Sequence, residues 1–244
     1  MKNIRDIHFF SILPQIPYEN VSKILRLNMP PQERPRDSKT VLAEHQSLHF
    51  GGTCFSLVNL IIRSLAVEGI PAYAVKADIH RRSFPHFFAV AENAGKHWLI
   101  DPGYLINRPL EIDPAHPSHV QNGAIDFIVS HLRDGEYQLQ TVTAGQQKTR
   151  YTFHIEPLDP AHFTEYWISS FDYINAIVAS RFVEDTFIYI NDNYVQIRSM
   201  GNVEKYDQED KALHYLNRYF GLDAHIIQSA RELLQKSGKR TARI

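Results

Sequence analysis

Between a glycine pair at positions 51 and 52 and a glycine at 69, the chain reads TCFSLVNLIIRSLAVE. Phe55, Leu57, Val58, Leu60, Ile61, Ile62 and Leu65 leave no broad polar face, so a helix here is apolar too far round to sit on a surface. Gly69 and Pro71 supply its stop. The fold must therefore wrap this helix on several sides, and the rest of the sequence has to provide the layers.

Upstream, to about residue 68, the pattern is mostly helical and admits two or three helices, broken or begun by the prolines of LPQIPYEN and LNMPPQERPRDS. Downstream of Pro71 it changes to short β-type runs: AYAVKADI, HFFAVAEN and KHWLIDPGY, with ENAGK as the turn between the last two. AIDFIVSHL, EYQLQTV and RYTFHIEPL extend the strand-rich region, punctuated by Gly123, Gly135 and Gly145. A helix is expected from about His162 to Ile177, then a hairpin from TFIYINDN and YVQIRSMG. Helical periodicity returns from about Asp207 to Lys236, with Gly221 as a C-cap, and KSGKRTARI reads as a frayed terminus. Helices, then strands, then a mixed end argue for an α+β fold rather than a parallel doubly wound sheet.

With 26 basic against 27 acidic residues, charge offers no case for nucleic acid or an anionic membrane. No apolar run reaches the ~20 residues that span a bilayer, and MKNIRDIHFF lacks the pattern of a signal peptide. The single cysteine excludes an intrachain disulfide framework and a Cys-rich zinc site, so a soluble, unprocessed, cytoplasmic protein is expected.

That cysteine, Cys54, falls in the first turn of the apolar helix, where unpaired N–H groups and the helix dipole favour a thiolate. Free cysteine is also a common core residue. A nucleophile needs a base, and the base an orienting acceptor. His86 begins the strand HFFAVAEN, and Asp101 ends the strand paired with it across a hairpin, so the two strand ends lie side by side. A carboxylate on one imidazole nitrogen would leave the other facing Cys54.

Other motifs are weaker. His80, Arg81 and Arg82 form a short basic loop, and His45 and His49 have helical spacing without the acidic residue of a metalloprotease pattern, so no metal is expected. Tyr151, Phe153, Phe163, Tyr166, Trp167 and Phe171 read either as a substrate pocket or as core.

IPYEN at 16 to 20, FGGTC at 50 to 54, HFFAVAENAGKHWLIDPGY at 86 to 104 and RPL at 108 to 110 together resemble the arylamine N-acetyltransferase family. Its members carry an early IPFEN segment, an RGGxCxExN nucleophile motif, a histidine opening a strand and an aspartate in LVDVGFG. The resemblance is strongest over residues 8 to 110 and continues loosely through YTFHIEPLDPAHF and YLNRYFGLD. It implies a helical bundle over 1–68, a β-barrel-like segment over 69–160 and an α/β lid over 161–244, packed as one compact unit. It also implies a catalytic triad of Cys54, His86 and Asp101, acetyl-CoA or another acyl-CoA as co-substrate, no metal, and a small-molecule amine as acceptor, with acyl transfer through an acyl-cysteine. Phe50, Ser56 and Val58 stand where the family motif has arginine, glutamate and asparagine, and PGYL replaces VGFG. These departures predict a nucleophile turn held by packing rather than by charged hydrogen bonds, with little reaction toward simple arylamines. LAVEGIPAYAV and WLIDPGY also resemble the transglutaminase-like core, which leaves amide exchange without CoA, or ligand binding without turnover, as the rival readings.

Overall fold

The computed structural model describes residues 2–79 and 84–238. The basic loop at His80, Arg81 and Arg82 and the end of the C-terminal tail lie outside the described residues.

The N-terminal part is more broken than expected. A 3-10 turn at Ile4–Asp6 leads to α1 (Phe9–Ile12), a second 3-10 turn (Leu13–Gln15), the two-residue β1 (Tyr18–Glu19), α2 (Val21–Ile24) and a third 3-10 turn (Pro31–Glu33). Only α3 (Ser38–Leu48) and α4 (Cys54–Val67) are long. Pro14 and Pro31 begin short turns, since a ring without an N–H fits the first turn of a helix and nowhere further in.

α4 is buried as its composition demands. Phe55, Val58, Ile61 and Leu65 enter the main core, while Leu57 and Leu60 pack with Ile16 and Val41 on the other side. Each such side chain contributes roughly 1.5–3 kcal/mol on full burial.

The strands form two antiparallel sheets. The larger runs β5 (Ile106–Ile112), β4 (Lys96–Asp101), β3 (His86–Asn93), β2 (Ala72–Asp78), β9 (Gln146–His154), β8 (Glu136–Thr143), β7 (Ile125–His131) and β6 (Ser118–Asn122) in spatial order. Its outer strands curl back toward each other: Asn122 Nδ2 donates to Leu105 O at 3.0 Å just before β5, giving a nearly closed barrel. Val75, Phe88, Val90, Leu99, Leu139 and Tyr151 fill its interior. β3 alternates between two apolar environments, Phe87, Ala89 and Ala91 meeting α4 and Phe88 and Val90 the barrel interior.

After α5 (Pro160–Ser169) and a 3-10 turn (Ser170–Tyr173), β10 (Val178–Val183), β11 (Thr186–Asn191), β12 (Tyr194–Ser199) and β13 (Asn202–Asp207) join β1 in the order β1-β10-β11-β12-β13. The helix expected to reach Ile177 therefore ends early, because the chain is already extended at Ile174 on its way into β10. α6 (Glu209–Phe220) stops at Gly221, which has φ +68°, and α7 (Ala224–Lys236) lays Ile227, Ala230 and Leu234 into the core that also holds Val21 and Ile24. Among the described residues, no helix is long and apolar enough to cross a membrane.

Candidate active site

The turn ahead of α4 is made by backbone pressed against backbone. Tyr18 of β1 bridges Gly52, Glu19 N–H donates to Gly52 O at 3.0 Å, and Gly52 N–H donates to Pro17 O at 3.2 Å. A Cβ on Gly51 would lie 1.7 Å from Pro17 O, so that position admits no side chain, and one on Gly52 would lie 2.2 Å from Ser56 Oγ, so that Ser56 would have to turn aside. Two buried charged residues finish the turn. Glu19 Oε1 accepts from Gly51 N–H at 3.1 Å, and its carboxylate also accepts from Ser22 N–H at 2.9 Å. Arg36 donates from Nη2 to Gly51 O at 2.8 Å and from Nη1 to Glu44 at 2.7 Å.

These contacts correct the expectation of a turn held by packing alone. Phe50 is indeed buried, but charged hydrogen bonds arrive from Glu19 and Arg36, distant in sequence. Glu19 lies inside the IPYEN segment and was within reach of the sequence; nothing in PQERPRDS singled out Arg36.

From this turn the chain enters α4 with Cys54 as its first residue and with no side-chain cap from Thr53, so the free N–H groups of the first turn lie beside the sulfur. Cys54 is 9% exposed and His86 8% exposed, and both line the same cleft. His86 Nε2 lies 2.9 Å from each oxygen of Asp101, which leaves Nδ1 available to Cys54 in the cleft that both residues line.

Asp101 is wholly buried and fully engaged. Besides the imidazole it accepts from the N–H groups of Gly103 at 2.9 Å and Tyr104 at 3.2 Å, and from Tyr151 Oη at 2.7 Å. Burial pulls the His86 pKa down, but the Asp101 charge and hydrogen bond, with help from Cys54, outweigh it and push the pKa up to about 10. Burial and the same carboxylate raise Tyr151 well above a normal phenol, so it stays a donor. Gly103 is required by contact: a Cβ there would lie 2.5 Å from His86 Cε1.

The cleft, about 970 Å³, is lined by Cys54 and by residues of both sheets. Its lining includes the aromatic side chains of Phe55, Phe84, Tyr104, Phe127 and Tyr173. One face of β10 to β12 supplies Ser180, Tyr189, Asn191, Gln196 and Arg198, alternating with the core residues Ala179, Ile188, Ile190 and Val195. The larger sheet supplies Thr141 and Arg150.

The six aromatics read from the sequence as a pocket or a core are core. Phe163, Trp167 and Phe171 are buried in the main core, Tyr151 and Phe153 fill the barrel, and Tyr166 packs from the rim. His45 bonds Phe50 O at 2.9 Å, whereas His49 ends α3 in a left-handed conformation, so the two serve different local structures.

The sequence model of the N-acetyltransferase family matches residues 1–227. A search of curated proteins finds no match. Among solved structures, an N-arylamine acetyltransferase variant from Mycobacterium smegmatis superposes with a TM-score of 0.77 at 13% identity, covering 98% of this chain and 94% of that one. The Mycobacterium marinum enzyme in complex with CoA gives 0.74 at 16% identity, covering 96% and 92%. The Bacillus cereus enzyme, described as having a unique Cys-His-Glu catalytic triad, gives 0.71 at 15% identity, covering 91% and 92%. At these identities the structures establish a shared fold, and the family match spans nearly the whole chain. This protein therefore belongs to the arylamine N-acetyltransferase family and is an enzyme of that acyltransferase type.

Proposed function

We propose that the protein moves an acetyl or other acyl group from acyl-CoA to an amine through an acyl-Cys54 intermediate, with His86 as proton carrier and Asp101 as its orienting partner. The observation that carries this reading is the buried His86–Asp101 pair at 2.9 Å, with Cys54 at a helix start in the same cleft. The bound CoA of the M. marinum relative supports the donor. The charged hydrogen bonds from Glu19 and Arg36 remove the ground for expecting little reaction toward simple arylamines, and the aromatic residues that line the cleft support an arylamine acceptor.

His86 holds the thiol proton, so Cys54 enters the first step as a thiolate. Its sulfur bonds to the thioester carbonyl carbon, and the first-turn N–H groups of α4 face the developing oxyanion. The C–S bond to the donor breaks, and His86 passes its proton to the leaving thiolate. Having given up its proton, the imidazole is neutral and can act as a base, and acylation has also removed the Cys54 charge, the smallest of the contributions that raise its pKa. It takes the proton of the attacking amine as the acyl–Cys54 bond breaks, which returns the thiolate and imidazolium.

Intact-protein mass spectrometry after incubation with acetyl-CoA tests the intermediate. A single acetyl adduct is expected on the wild type and none on Cys54→Ala. An unmodified wild type whose Cys54 still reacts with iodoacetamide would favour amide exchange without CoA.

A further inference from the structure

The chemistry at Cys54 makes no use of two arginines that line the same cleft. Arg150 comes from β9 at a break in register: Leu139 pairs with Tyr151 and Gln140 with Thr149, so Arg150 is the extra residue of a β-bulge. Bulges re-aim side chains, and this one sits beside the tyrosine that holds Asp101. Arg150 Nε donates to the buried Thr141 Oγ1 at 2.7 Å, which fixes the guanidinium against the cleft wall. Arg198 comes from β12 in the other sheet and lines the same cleft.

Among the described residues, the arginines paired with carboxylates are Arg26, Arg36 and Arg231; Arg150 and Arg198 have no such partner. The sheets also meet at their turns, where a Cβ on Gly123 would lie 2.1 Å from Asp185 O, and this closes the space on that side. Two half-buried guanidinium groups in a bounded polar cleft create a positive potential that a ligand anion balances.

We propose that Arg150 and Arg198 hold an anionic group, phosphate or carboxylate, carried by one of the substrates away from its reacting carbon. This rests on the reading of the cleft as the acyl-transfer site. Planar donor forks suit either oxyanion, and removing one costs roughly tenfold to a hundredfold in affinity.

Steady-state kinetics of Arg150→Met and Arg198→Ala decide it, with acetyl-CoA and the phosphate-free p-nitrophenyl acetate as donors, and 4-aminobenzoate and anisidine as acceptors. A KM rise for acetyl-CoA about tenfold or more beyond that for p-nitrophenyl acetate assigns the anion to the donor. A rise for 4-aminobenzoate beyond that for anisidine by the same margin assigns it to the acceptor. KM values within about twofold of wild type for both charged substrates in both variants overturn the proposal. Calorimetric binding of desulfo-CoA and 4-aminobenzoate separates this from the acyl-transfer reading: if wild type transfers from no donor, that reading fails, and weaker binding by the variants still supports the anion pair while equal binding overturns it. Should Arg150→Met lose its thermal transition, Arg198→Ala, whose side chain makes no hydrogen bond with the described residues, carries the test.

Discussion

In the larger sheet β3 is buried at seven of its eight residues, whereas in the smaller sheet β12 is buried at Val195 alone. β3 lies between α4 and the barrel interior, so only Glu92 near its end meets water. The strands of the smaller sheet put one face on the core and turn the other, polar face to the cleft. The residues proposed for chemistry stand where packing leaves no freedom, and those proposed for ligand recognition stand where side chains can change at little cost to the fold.

The largest effect should come from the rigid side. Asp101→Asn is expected to keep the fold and to lower kcat by on the order of 10³–10⁴-fold, because an amide neither balances the imidazolium nor fixes its tautomer. Circular dichroism and the transfer rate measure the two halves separately. Activity within a few-fold of wild type would make Asp101 a turn residue that organises Gly103 and Tyr104.

The meeting of Cys54, His86 and Asp101 was legible because each sits at the end of a strongly patterned element: a helix start, a strand start and the end of its hairpin partner. What surrounds them was not. Tyr151 reaches Asp101 across 50 residues and Glu19 reaches Gly51 across 32, and no local periodicity encodes such pairs. Missed strands share a cause. β5 carries Pro109 and survives as an edge, β6 and β13 are exposed edges without an apolar face, and β10 is six residues of mixed character. Aromatic clustering was ambiguous since core and pocket draw on the same residues.

The same rigid side should leave a mark on stability. The His86 pKa rises from 6.5 to about 10 on folding, so the imidazolium stabilises the fold fully below pH 6.5, and this contribution is lost as pH climbs through about 10. Urea midpoints of wild type and His86→Gln should differ most near pH 6 and converge toward pH 10.5. A gap that does not change with pH would mean that the substitution acts only through packing.

A smaller effect is expected from Gly103→Ala. The new methyl must displace the His86 ring or move the turn, for about 1–3 kcal/mol of stability and a fall in kcat at nearly constant donor KM. A rise in KM with kcat unchanged would place the strain in the cleft rather than at the imidazole.

The smallest effect, that of Gln196→Ala, bears most directly on the contrast between the sheets when set beside a core substitution in β3. Val90 in β3 is wholly buried in the barrel core, and Val90→Ala removes two methyl groups from a site whose surroundings are fixed on both faces. A loss of roughly 1.5–3 kcal/mol is expected, transfer and cavity contributions together. Gln196 in β12 is half-buried on the cleft face, and Gln196→Ala takes away a side chain whose one hydrogen bond there comes from Tyr194 Oη at 3.1 Å. The fold should lose no more than about 0.5 kcal/mol, as for substitutions away from the core. Chemical denaturation of the two variants, run side by side, reads both numbers. Equal losses would show that the cleft face of the smaller sheet is as tightly bound into the structure as β3, and the division between a fixed chemical wall and an adaptable recognition wall would not hold.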